Sequence, residues 1–317
     1  MRITTNIHGL ERVAPPGTKV RAFPREQFPA TLDRNLRILG SALGSDHLIL
    51  HFSLWDVLFF SVALFLIPFH HCKLTTLDFF VGDPSPARLP LLRWSVNRVD
   101  RLLVYFRDCS VFEARFGIDP SRFHYIPFKV NGIEIIERTP VSDQGYIFCG
   151  GRSRRDFATL FAAVEPLGLP LKLVTSSEKE MLPHGSSLAG VAIPSNVELC
   201  TEDSSPEFFI RTMAASRAVV IPIVKDATTQ AGIGVYLQAM ALRKCVIISG
   251  GLGVSDVLQP DQAVIVPAGD VAALRTAIEQ VWNHASLRES YAEAGYRYAI
   301  ALGGEDRLRE SILRALP

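Results

Sequence analysis

The chain has 317 residues, 48% hydrophobic and 21% charged, a balance that fits two packed domains and excludes a disordered chain or one small core. A net charge of +1 leaves no global field to recruit nucleic acid, so any basic site has to be local. The five cysteines (Cys72, Cys109, Cys149, Cys200 and Cys245) show no CxxC pair and no metal-ligand spacing, and they read as free thiols in a reducing compartment.

The opening stretch "MRITTNIHGLERVAPPG" lacks an apolar signal core, which predicts a cytoplasmic protein. Candidate strands follow at 18–23, 47–52, 72–80, 101–106 and 123–127, separated by "TLDRNLRILGSALG", "LWDVLFFSVALFL", "LPLLRWSVNRVD" and "CSVFEARFG", each compatible with a helix. Such alternation predicts parallel strands joined by crossover helices. The most apolar run, 48–71, is interrupted by Asp56, two serines and Pro68. A membrane span needs about 20 consecutive apolar residues, so this run reads as a strand followed by a buried helix.

Polar residues gather at 129–145, the expected linker, and a second alternating series begins at "GYIFCGG". Its helices include "RDFATLFAAVEPLG", "SPEFFIRTMAAS" and "GVYLQAMALR", and its strands include "AVVIPIV" and "CVIISGG". Ser204 or Ser205 can cap the helix that opens with Pro206, and Glu207 gives a capping-box spacing from Ser204. Asp270 is the expected N-cap of "VAALRTAIEQVW", and "EDRLRESILRAL" closes the chain as a helix. No internal repeat is visible. Two Rossmann-like domains in tandem, 1–135 and 136–317, account for this order.

Ligands of doubly wound sheets bind beyond the carboxyl ends of the strands, and three loops there carry unusual residues. "CGGRSRRDF" sets Gly150 and Gly151 before Arg152, Arg154 and Arg155; guanidiniums beside a helix N-terminus suit a phosphate or diphosphate, against the alternative of a solvated basic loop. "IVKDATTQAGIG" offers Lys225, Thr228 and Thr229, then Gln230 and Gln238 eight apart around Gly232 and Gly234. Eight residues is slightly over two helical turns, so the two amides can address one ligand from one side. "SGGLGVSD" supplies a third glycine-rich turn. Neither GxxxxGK[ST] nor a GxGxxG after the first strand is present, which excludes a P-loop NTPase and an ordinary dinucleotide dehydrogenase.

The blocks "GYIFCGGRSRRDFATLFAAV", "VVIPIVKDATTQAGIGVYLQAMALRKCVIIS" and "QAVIVPAGDVAALRTAIEQV" resemble the donor-binding domain of GT-B glycosyltransferases, of the group-1 or family-4-like branch. That resemblance implies an α/β architecture of two Rossmann-like domains with parallel sheets facing across a cleft. It also implies an N-terminal acceptor domain, a C-terminal nucleotide-sugar domain and a last helix packing back on the first; the acceptor domain departs from the family as a shortened one, since "MRITTNIHGLERVAPPG" has only Gly9 where a glycine-rich loop is usual. The family carries two glutamates where Gln230 and Gln238 stand. An amide keeps an acceptor and adds a donor but loses the charge-assisted bond, which admits a donor sugar bearing its own carboxylate; packing by Gln238 is the alternative. Carried over by position, the diphosphate contacts Arg155 and Lys225 and the backbone of Gly232 to Gly234, with Gly151, Arg152 and Thr229 beside it. No cofactor or metal is expected beyond the nucleotide-diphosphate sugar itself.

In the first domain Asp78 stands at a strand end, where a carboxylate is a candidate general base for an acceptor hydroxyl, the alternative for it and for Asp83 being a turn aspartate. His51, His70 and His71 are further candidates, His51 reading as a core histidine. Arg88, Arg93, Arg98 and Arg101 around Trp94 read either as a solvated helix face or as a basic amphipathic surface touching anionic lipid at the inner face of the membrane. The expected reaction is metal-independent sugar transfer to a carbohydrate, lipid-linked or small-molecule acceptor, with no nucleic-acid partner. An epimerase of the same fold and a degenerate non-catalytic partner subunit stay open.

Overall fold

The computed structural model describes residues 1–27, 31–67, 71–79, 87–201, 205–225 and 230–317. They form two compact units, Met1–Pro127 with Asp306–Pro317, and Phe128–Glu305. The first division thus falls at 127/128, where composition alone places it at 135/136.

The first unit is built on six parallel strands, β1 (Arg2–Thr5), β2 (Lys19–Ala22), β3 (His47–His51), β4 (Lys73–Leu77), β5 (Arg101–Val104) and β6 (Phe123–Tyr125). Their spatial order is β2-β1-β3-β4-β5-β6, with Thr4 opposite Leu48 and His51 opposite Leu77. The crossovers are α1 (Thr31–Ala42), α2 (Leu54–Leu66), α3 (Leu89–Val96) and α4 (Ser110–Phe116). Leu48, Ile49 and Leu50 of β3 are fully buried, as expected for a central parallel strand covered on both faces.

Strand β1 is absent from the sequence-based expectation, and its composition explains why. "RITT" holds a single aliphatic residue; Thr4 and Thr5 are nevertheless buried. Thr4 Oγ1 is within hydrogen-bond distance of Ser41 Oγ (2.8 Å) and Ser45 Oγ (2.9 Å). A central strand made acceptable by hydroxyl pairs carries no hydrophobic signal. Asp56, the charge that interrupts the apolar run, points inward from α2. It accepts from Arg34 Nη2 at 3.0 Å and Asn35 Nδ2 at 2.9 Å, so a buried carboxylate there is paired.

The second unit has six parallel strands, β7 (Ile147–Gly150), β8 (Leu171–Val174), β9 (Val197–Cys200), β10 (Ala218–Ile221), β11 (Val246–Ser249) and β12 (Val264–Val266), in the order β12-β11-β10-β7-β8-β9. Its helices are α5 (Ile133–Ile136), α6 (Phe157–Val164), α7 (Glu178–Met181), α8 (Pro206–Ala214), α9 (Ile233–Ala241), α10 (Val271–Asn283) and α11 (Ala285–Leu302). Ser205 caps α8, accepting from the Phe208 N–H at 3.2 Å; Ser204 lies outside the described residues. Asp270 caps α10 through the Ala273 N–H at 2.9 Å. The last helix, α12 (Glu305–Arg314), falls almost entirely within the first unit. Leu308 and Ile312 are buried, Arg309 Nε donates to His8 O at 3.2 Å, and Arg101 Nη1 donates to Ala315 O. None of the five cysteines forms a disulfide.

Candidate functional site

In the second unit the strand order reverses between β7 and β10, the switch point at which open α/β sheets bind ligands. A cavity of about 240 Å³ opens there, lined on one side by Gly151, Arg152, Ser153 and Arg155 after β7, and on the other by Gly232, Gly234, Val235 and Gln238 of the α9 start. Asn131 and Phe209 complete it. A second cavity of about 200 Å³ shares Gly151, Arg152 and Phe209 and extends to Val174, Thr175 and Ser176 after β8. Together they make one groove along the carboxyl edge of the sheet.

Arg155 is 4% exposed. Its Nε donates to Gly150 O at 2.9 Å and its Nη1 to Ser153 O at 2.7 Å. Among the described residues no carboxylate lies within ion-pair distance of it. Burial pulls its pKa down to about 10, still cationic at neutral pH. A buried, hydrogen-bonded cation without a countercharge is costly, and it is placed to receive an anion. The close approach depends on Gly151, whose φ is +95° and where a Cβ would sit 2.5 Å from Arg155 Nη2.

The N-terminus of α9 supplies the second element. Gly232, with φ +83°, is its N-cap and provides no side-chain acceptor, so the first amides of the helix are open to an anion in the cavity. The end of α6 is different: Asp156 caps it through the Thr159 N–H at 3.0 Å. The helix end whose first amides are left without a side-chain cap is therefore that of α9, whereas the arginine-rich loop points to α6.

The amides separate. Helix α9 begins at Ile233, so Gln230 precedes it and the two-turn spacing does not run between the two glutamines. Gln230 is half-buried and is not part of the cavity wall. Gln238 lines the cavity and donates from Nε2 to Asn131 O at 3.1 Å. Lys225 is exposed and outside the cavity wall, and Thr228 and Thr229 lie outside the described residues. Arg154, with φ +55°, turns its side chain against the Gly185 turn instead. In the third loop the Gly251 and Gly253 N–H groups bond Ser255 Oγ (3.2 Å) and Asp256 Oδ1 (2.7 Å), so those amides are already used. Asn131, Ser153 and Phe209 carry no motif signal and are visible only in the fold.

In the first unit the order reverses between β1 and β3. Asn6, just past β1, accepts the His51 N–H at 2.7 Å, and its buried Nδ2 finds no acceptor among the described residues. Asp78 follows β4 directly with φ +63°, its N–H bonded to Leu103 O at 2.9 Å. Its Oδ2 is 3.8 Å from His51 Nε2. His51 is exposed rather than a core histidine, because it is the last residue of its strand. Beside them Tyr105 is buried, and burial together with the Asp78 charge pushes its hydroxyl pKa well up. His70 and Asp83 lie outside the described residues. Among the described residues no cluster of three His, Cys, Asp or Glu side chains is placed to hold a metal.

Two such units in one chain define the α/β fold of GT-B glycosyltransferases, and whole-chain comparison with solved structures shows that fold. Sucrose-phosphate synthase from Thermosynechococcus elongatus superposes with a TM-score of 0.68 at 17% identity, over 95% of this chain and 80% of that one. HepE from Anabaena, in complex with UDP-glucose, gives 0.69 at 12% identity over 99% and 98% of the two chains. A glycosyltransferase from Rickettsia africae gives 0.66 at 11% identity over 99% and 88%. No family model matches the chain, and no curated protein matches it in sequence.

Proposed function

We propose that this protein is a glycosyltransferase that moves a sugar from a nucleoside-diphosphate donor to an acceptor hydroxyl without a metal ion. The observation that carries the reading is the buried guanidinium of Arg155 at the switch point, beside the uncapped N-terminus of α9. Fixed positive charge of that kind suits a diphosphate leaving group, the role a cation otherwise fills. The adjoining cavity beside Phe209 has room for the nucleoside, and the UDP and UDP-glucose complexes of a protein of the same fold favour uridine. Arg152, at the junction of the two cavities, contacts the diphosphate or ribose. Gln238, which donates to Asn131 O, has its amide oxygen as the acceptor for the donor sugar; Lys225, Thr229 and Gln230 flank the donor between β10 and α9. Asp78, oriented by His51, is the base that accepts the acceptor's proton.

A panel of nucleotide sugars tests this. Slow release of UDP from a UDP-hexose, accelerated by an added hydroxyl acceptor and unchanged by a chelator, is the expected outcome. Epimerised donor without UDP release would mean a different reaction on the same fold, and no binding of any nucleotide would mean a non-catalytic chain.

A further inference from the structure

Helix α2 is apolar on both faces, yet only one of them is covered. Val57, Phe60 and Leu64 are buried, whereas Trp55 is 70%, Phe65 59% and Leu66 70% exposed. A helix that is hydrophobic all round belongs in a core or against an apolar partner. Helix α3 extends the open face: Leu91 is exposed, and Trp94 packs edge-on to Phe65 with centroids 5.8 Å apart. The guanidinium of Arg98 lies 3.9 Å from the Trp94 centroid and 4.7 Å from that of Phe65.

Among the described residues, the exposed charges of α2, of α3 and of its flanks at 87–98 are all basic. Arg88, Arg93 and Arg98 are exposed along and just beyond α3. Asp56 is the one carboxylate in α2 and α3, and it is buried against Arg34. The first unit as a whole holds eighteen lysines and arginines against thirteen aspartates and glutamates, the second fifteen against nineteen. With 13 residues α2 is too short to span a bilayer, and no described helix is long and apolar enough to cross one. Exposed tryptophan, phenylalanine and leucine rimmed by arginine are the chemistry of the headgroup–acyl boundary, where rings insert and guanidiniums stay at the phosphates. A symmetric contact between two copies would set arginine against arginine.

We infer that the α2–α3 face docks on an anionic lipid surface, with Trp55, Phe65 and Leu66 entering the boundary and Arg88 and Arg98 meeting lipid phosphates. Flotation with vesicles of phosphatidylcholine alone, and of phosphatidylcholine with phosphatidylglycerol, tests it on the full chain. The protein should float with the mixed vesicles, more weakly as salt rises, and stay dense with the neutral ones. Trp55→Ser with Phe65→Ser should weaken flotation more than about tenfold, and Arg98→Glu about fivefold or more, with cooperative melting retained because these side chains are largely exposed and lose only the ring and cation contacts among Phe65, Trp94 and Arg98. Failure to float with mixed vesicles at low salt, or wild-type flotation of the double variant, would overturn the proposal. So would sedimentation velocity showing a dimer that the double variant dissolves, since the face would then be a protein interface.

Discussion

At the level of one residue, the surroundings of Gln238 call for an amide rather than a carboxylate. Its Nε2 donates to a main-chain carbonyl, that of Asn131, at 3.1 Å. A glutamate there offers only acceptors and would set a negative oxygen against that carbonyl. Gln238→Glu should therefore lower thermal stability, by about 1–3 kcal/mol, and by more than Gln238→Ala, which removes the donor without adding a charge. Equal melting of the Gln238→Glu variant and the parent would show that the amide is not required. The same pair illustrates what spacing conceals: Gln230 and Gln238 are eight apart in sequence, but the left-handed turn at Gly232 delays the helix until Ile233. A glycine in a strand-to-helix loop carries no mark of its φ, so the register of the helix start was not legible. Arg155 was legible as a cation near the site; its burial and its bonds to Gly150 O and Ser153 O were not.

At the level of elements, most strands could be read because parallel sheets bury both faces and leave continuous apolar runs. Strand β1 could not, because its buried Thr4 is satisfied by Ser41 and Ser45 from a distant part of the chain and Thr5 by the Ile7 N–H. The composition of α2 predicts a buried helix, yet Trp55, Val62, Phe65 and Leu66 are exposed. The end of β4 matters for chemistry. Asp78 adopts a left-handed φ that costs a non-glycine residue energy, although aspartate tolerates it better than most. If Asp78 is the base, Asp78→Asn should cut turnover by about 10²–10⁴-fold while leaving nucleotide affinity intact. Asparagine keeps the turn conformation, so a structural role alone predicts unchanged turnover per folded molecule. Unchanged turnover would remove Asp78 from the reaction.

Across the whole molecule, each unit places its distinctive polar residues where its own strand order reverses, Asn6 and His51 in the first and Arg155 with the α9 amides in the second. The second of these sites is proposed to bind a nucleoside diphosphate, and calorimetric titration of the full chain with UDP measures that binding. Charge-assisted hydrogen bonds of the kind proposed contribute about 1.5–3 kcal/mol each, so Arg155→Gln should weaken UDP about tenfold to a hundredfold. Arg155 also braces its own loop; Arg152→Ala, a change at an exposed residue that leaves those braces in place, should weaken UDP as well. Saturable binding of UDP by the parent chain, without added metal and reduced in both variants, is the predicted result. A folded parent chain that gives no heat with UDP, or two variants that bind it as the parent does, would contradict the account.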